Sequence, residues 1–183
     1  GEGAPSEALK NDCHELVDVS GNYILPGVID DQVHMRDPGL THKADLQTES
    51  AAAVAGGVTS FMDMPNTNPQ TITLEALEAK YQRAAEVSHA NYSFYIGATN
   101  ENLDVVKHVD FKKVCGVKAF LGASTGNMLV DNKNTLERMF SEVDSIIAIH
   151  SEDEAIIKAN KERLIGQYGE NLPVELHPML RSA

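Results

Sequence analysis

From residue 24 onward, short apolar runs alternate with amphipathic stretches, five times in succession. This alternation limits the fold more than any other feature, because strands separated by helices pair side by side only when each helix carries the chain back across the sheet. A parallel sheet is the expected result. The predicted strands are residues 24–30, 59–63, 91–96, 114–121 and 146–150, each short and apolar, as strands covered on both faces are.

The helices carry their own signals. Asn134 and Glu137 form a capping-box pattern ahead of Leu136, Met139, Phe140 and Val143, whose spacing makes one apolar helix face. Ser151 and Glu154 repeat the pattern after the fifth strand, which predicts a helix starting at once beyond His150. Leu74, Leu77 and Tyr81 mark a third helix, and residues 44–55 read as a fourth, stopped by Gly56 and Gly57. The stretch after the third strand has the weakest helical pattern. Residues 1–23 fit no βα unit, and no internal repeat, low-complexity tract or linker divides the chain.

Five βα units in series make either an open doubly wound sheet or part of an eight-stranded barrel. No GxGxxG comes after the first strand. The strand runs instead into Asp30-Asp31-Gln32-Val33-His34-Met35-Arg36, polar groups massed where the chemistry of a parallel barrel sits. Composition narrows the ligand. A net charge of −12 with no Lys/Arg cluster argues against nucleic acid and for a small-molecule partner. Two cysteines, Cys13 and Cys115, are too few for a disulfide framework or a thiolate zinc site, which fits a reducing cytoplasm. No apolar run approaches the roughly 20 residues of a membrane helix, and GEGAPSEALK has no signal-peptide core. The length of 183 residues suits one domain, and the first residue is not Met, as in a processed or excised chain.

Polar side chains fall at the predicted strand ends: Gln32, His34 and Arg36 after the first, Asn66 after the second, Lys118 in the fourth and His150 closing the fifth. Gln32, His34 and Arg36 are two apart, so extended backbone points them the same way, as metal ligands and an anion clamp require. Spacing alone also allows a solvated loop. Lys118 lies in Val117-Lys118-Ala119-Phe120-Leu121, an apolar run where an unpaired ammonium is costly. It is paired, neutralised or modified, for instance by carbon dioxide to a carbamate that bridges two cations, or it snorkels to solvent. His150 is a zinc-type donor by its imidazole, and a lone histidine there is more often structural. Its weight comes from His34 and Lys118 at other strand ends. His14, His42, His89, His108 and His177 lack that placement and read as surface or packing residues; Ser124 and Thr125 read as loop, without a histidine and acid beside them.

These segments resemble the cyclic amidohydrolase family, and its dihydroorotase branch most closely. Pro26-Gly27-Val28-Ile29-Asp30 through His34-Met35-Arg36-Asp37-Pro38-Gly39 is similar to the first-strand motif Asp-x-His-x-His with x-Arg-x-Pro-Gly. Ala55-Gly56-Gly57-Val58-Thr59 with Met64-Pro65-Asn66-Thr67 resembles the second-strand signature, Gly116-Val117-Lys118-Ala119-Phe120 the carboxylated-lysine segment, and Ile149-His150-Ser151-Glu152-Asp153 the third-histidine motif. His177-Pro178 to Arg181-Ser182 is similar to the approach to the next helix.

The resemblance implies a TIM-like (β/α)8 barrel of which about five units are present, occupying residues 24–183, with residues 1–23 as the tail of a small N-terminal β-rich domain. It implies one or two zinc ions held by His34, a bridging carbamate on Lys118, and His150, and a substrate carboxylate held by Arg36 and Asn66. A metal-bridging hydroxide would attack the ring amide carbonyl, interconverting dihydroorotate and carbamoyl aspartate in pyrimidine biosynthesis. Gln32 departs from the pattern, standing where the first histidine belongs; an amide oxygen is a weaker zinc ligand, or serves only behind one. A fourth histidine and the proton-shuttling aspartate are expected beyond residue 183, and the two open edges of a five-stranded half-barrel predict a longer natural protein. The related readings are a dihydropyrimidinase, hydantoinase or allantoinase, and a non-catalytic barrel homologue binding a protein partner. A homodimer is compatible with any of them.

Overall fold

A computed structural model describes residues 5–122 and 127–182. The apolar runs become five strands, β1 (Val28–Val33), β2 (Val58–Asp63), β3 (Asn91–Gly97), β4 (Gly116–Phe120) and β5 (Ile147–His150). They pair in parallel and in chain order, so the sheet curls as a half-barrel with all strand C-termini at one rim. The helices are α1 (Glu7–Asp12), α2 (Leu46–Ala55), α3 (Leu74–Val87), α4 (Leu103–Lys107), α5 (Lys133–Glu142), α6 (Glu154–Tyr168) and α7 (His177–Leu180). The open doubly wound order is thereby excluded for these strands. Among the described residues no helix is long and apolar enough to cross a membrane.

One core joins the helices to the outer face of the sheet. Leu46 of α2, Leu77 and Ala84 of α3, Leu103 and Val106 of α4 and Met139 of α5 pack against Phe61, Phe94, Ile96, Val117 and Ala119. Tyr81 meets Phe94 edge-on, with ring centroids 4.9 Å apart. Because side chains alternate along a strand, burial of Val117 and Ala119 in this layer puts Gly116, Lys118 and Phe120 on the opposite, inner face.

Several boundaries differ from expectation. β1 starts at Val28 rather than residue 24, since pairing begins where Val28 meets Val58 and Pro26 has no N–H to donate; it runs on through Gln32 to Val33. β4 starts at Gly116 because Val114 is still in the preceding turn, its N–H bonded to Asp110 O at 3.3 Å. α5 is capped by Asn132, not Asn134: its Oδ1 accepts from Asn134 N (3.0 Å) and Thr135 N (3.2 Å). Asn132 N donates to Asn100 Oδ1 beyond β3, so a tertiary contact selects the cap. α6 is capped by Asp153, which accepts from Ala155 N and Ile156 N, so the helix starts at Glu154 rather than directly after His150. A carboxylate suits a helix N-terminus better than the Ser151 hydroxyl. In the amino-terminal stretch, Ser6 caps the six residues of α1 and none of that helix is buried. Asn132→Ala is expected to cost about 1 kcal/mol in urea unfolding, the usual worth of a side-chain N-cap; no change would mean the Asn100 contact alone holds the turn.

Candidate active site at the strand ends

The inner face of the sheet is lined toward the rim by Lys118 and, one step along β5, by His150, which pairs in register with Phe120. The Lys118 side chain is 5% exposed and lies over the Phe120 ring, Nζ 5.0 Å from the centroid. Among the described residues no carboxylate pairs with it, and burial lowers its pKa from the ordinary lysine value. The fold therefore moves this amine toward its neutral, nucleophilic form.

His34 sits just past β1, half-buried. Val33 and Met35 pack into the outer core, so the residue between them is turned to the other face. Burial lowers the His34 pKa, and the positive charges of Arg36 and Lys118 lower it further; Asn66 and Asp63 act in the opposite direction. Burial and the neighbouring cations thus favour the neutral imidazole, the form that ligates metal, and the Asn66 amide acts on the same ring as a hydrogen-bond partner. Arg36, Asn66, Asp63 and Lys118 all lie near enough to His34 to act on it.

Arg36 has φ 66°, a left-handed conformation that costs a non-glycine residue about 1–2 kcal/mol. Such a residue persists only where its surroundings hold it. Here the chain on either side is tied down. Leu40 N donates to Arg36 O at 3.0 Å, and Asn68 N to Pro38 O at 3.1 Å, which presses the loop after β1 against the loop after β2. Gly39 is also left-handed (φ 79°), and a Cβ there would lie 1.8 Å from Asn68 O, so only glycine permits this contact. Arg36 and Asn66 consequently belong to two interlocked loops at one rim. The Asn66 Oδ1 is buried with no partner in hydrogen-bond geometry among the described residues. The His34 ring lies beside this amide and is within reach of it.

His150 is more exposed than a closed site would make it, and its Nε2 lies 3.0 Å from Glu152 Oε2. Glu152 is held in turn by Arg181, with Arg181 Nε to Oε1 at 2.8 Å. Gln32 is exposed on β1 and its backbone N–H donates to Asp30 Oδ1 at 3.2 Å. The remaining histidines, His14, His42, His89, His108 and His177, are all exposed. Burial pushes the Cys115 thiol up to about 11, so it is not a thiolate near neutrality. Ser124 and Thr125 lie outside the described residues.

The donor chemistry fits a divalent metal on the inner face: a neutral imidazole at His34, a depressed amine at Lys118, and a second imidazole at His150 that an acidic neighbour orients. Among the described residues no three His, Cys, Asp or Glu side chains cluster to hold an ion.

The strand motifs did not reveal what supports this rim. Asp63, ending β2, is fully buried and pairs with Lys80 of α3 at 2.5 Å, and its other oxygen accepts from Met35 N at 2.8 Å. Lys80 also donates to Met64 O at 3.1 Å and lies 4.7 Å from the Phe94 ring centroid. A signal was present in the sequence: Lys80 occupies the apolar stripe of α3, three residues after Leu77 and four before Ala84.

Parallel strands in chain order, helices outside, and ionisable groups at the C-terminal rim define the front part of a (β/α)8 barrel. Residues 21–170 match the Dihydro-orotase-like family, and the chain belongs to it, within the amidohydrolase superfamily. The dihydroorotase of Halobacterium salinarum is 37% identical over 142 residues, covering 75% of this chain and 33% of that protein. The allantoinase of Streptomyces avermitilis is 33% identical over 153 residues, covering 81% and 34%. Among solved structures, the L-hydantoinase (dihydropyrimidinase) of Arthrobacter aurescens superposes with a TM-score of 0.69 at 31% identity, over 79% of this chain and 33% of that one. The chain spans about a third of the length of these relatives.

Proposed function

We propose that this chain is the substrate-anchoring and metal-anchoring front of a dihydroorotase, which interconverts dihydroorotate and carbamoyl aspartate. The observation that carries the reading is the left-handed Arg36, interlocked with the Asn66 loop beside a neutral His34. A guanidinium with a planar fork suits a carboxylate, and dihydroorotate carries one, whereas hydantoin, dihydrouracil and allantoin rings do not. The Asn66 amide, beside His34 at the same rim, would help to orient the substrate next to Arg36.

In this reading His34, Lys118 as its carbamate, and His150 hold zinc, one or two ions, with Gln32 at most a weak ligand. Bound zinc would acidify a water and polarise the ring carbonyl. The residues of this chain do the rest: Arg36 and Asn66 orient the ring by its carboxylate and N–H, and Glu152 fixes the tautomer and direction of His150. Residues 1–23 would belong to the edge of a separate small domain, in keeping with the exposure of Tyr23, Ile24 and Leu25 where the barrel begins. Cytoplasmic pyrimidine synthesis is the matching setting.

Arg36→Met in the full-length protein is expected to raise the KM for dihydroorotate, by about 2 to 5 kcal/mol of lost binding if the ion pair is desolvated. An unchanged KM would remove Arg36 from the site. A second reading, a barrel homologue without catalysis, draws on Gln32 and on the lack of a three-residue His, Cys, Asp or Glu cluster among the described residues. Metal analysis and dihydroorotate turnover of the full-length protein separate the two: metal-free, inactive protein supports the second.

A further inference from the structure

Two ion pairs on one helix grip the loop that carries Arg36. Lys80 and Arg83 lie one turn apart on α3. Lys80 holds Asp63, whose Oδ1 accepts the N–H of Met35, immediately before Arg36. Arg83 Nε donates to Asp37 Oδ2 at 3.2 Å, immediately after Arg36, and Asp37 is buried while Arg83 is 45% exposed. The residue between the two anchored ones is the one with φ 66°. A backbone conformation that is sparsely populated for an L residue is thus pinned on both sides from the same helix.

We propose that α3 acts as a clamp on the 34–40 loop, with Lys80, Asp63, Arg83 and Asp37 as positioning residues that hold Arg36 ready for an anionic substrate before it arrives. The charges are directed to this use by their placement. Asp63 is 0% and Lys80 1% exposed, and a pair so deeply desolvated gives little net stability over apolar residues of the same volume. What it supplies is a fixed acceptor for one backbone N–H at the base of the site. A preorganised Arg36 loses less freedom on binding, so the clamp acts on substrate affinity rather than on the chemical step. The substrate half of this inference rests on the dihydroorotase reading; the clamp half does not.

The test uses the full-length protein and the exposed member of the clamp, so that the core pair stays intact. Arg83→Gln is expected to speed hydrogen–deuterium exchange in the 33–41 peptide about tenfold and to raise the KM for dihydroorotate three- to tenfold, with kcat within twofold. Arg83→Lys restores both, and Asp37→Asn reproduces the loss. Unchanged exchange in Arg83→Gln overturns the clamp. Faster exchange with an unchanged KM, or kcat falling in step with a lowered Tm, overturns the positioning role and leaves a structural contact. A wild-type protein that does not turn over dihydroorotate overturns the substrate half together with the functional reading, and the exchange data then decide the clamp alone.

Discussion

Lys80→Met in the full-length protein is expected to lower the unfolding free energy by about 3 to 5 kcal/mol, the cost of leaving a buried charge without its partner. The methionine fills most of the lysine's volume on the apolar stripe of α3, between Leu77 and Ala84. It cannot neutralise Asp63, which has no exposure to solvent. The orphaned carboxylate must then take up a proton or open a path for water, and either response disturbs its bond to Met35 N. Adding Asp63→Asn to Lys80→Met should recover a large part of the loss, because the amide oxygen still accepts from Met35 and carries no charge. Urea unfolding of both variants measures this. A single-variant loss below about 1 kcal/mol would mean that the Asp63–Lys80 pair is not what holds this part of the fold.

Lys118→Ala is expected to abolish metal retention and turnover together, a larger effect than the roughly 10- to 100-fold caused by loss of an outer partner of a ligand. The basis is the largely buried Lys118 side chain, which no carboxylate pairs among the described residues and whose pKa burial lowers. A neutral amine is the form that adds carbon dioxide, and the resulting carbamate offers two oxygens to cations. Added acetate should restore part of the metal content in Lys118→Ala by standing in for those oxygens. Stability moves the other way. The depressed pKa means the folded state disfavours the ammonium, so below the unfolded lysine pKa the charged group opposes folding, increasingly as pH falls toward the folded pKa. Lys118→Met in metal-free protein should therefore be as stable as the parent or more so. A marked loss of stability in Lys118→Met, with metal content intact, would make Lys118 a structural residue.

Local pattern was enough for much of this molecule. Alternating apolar runs and amphipathic stretches specify parallel strands with helices between them, because period and length act within a few residues of each position. The placement of Lys118 within β4 and of His150 at the end of β5 was legible for the same reason, since each interrupts or closes an apolar run. Caps were less so. Asn132 displaced Asn134 through a contact with distant Asn100, and Asp153 displaced Ser151 by offering a carboxylate to the helix N-terminus.

What only the tertiary structure decided is which groups pay for one another across the chain. Asp63 and Lys80 are 17 positions apart, Asp37 and Arg83 are 46 apart, and Glu152 and Arg181 are 29 apart. No period or motif encodes such pairings, since they arise only when packing brings two elements within a few ångströms and excludes water. The left-handed turn at Arg36 belongs to the same class. Taken alone, arginine disfavours that conformation, and the residues around it are tied to distant parts of the chain: Met35 to Asp63, Asp37 to Arg83 and Pro38 to Asn68.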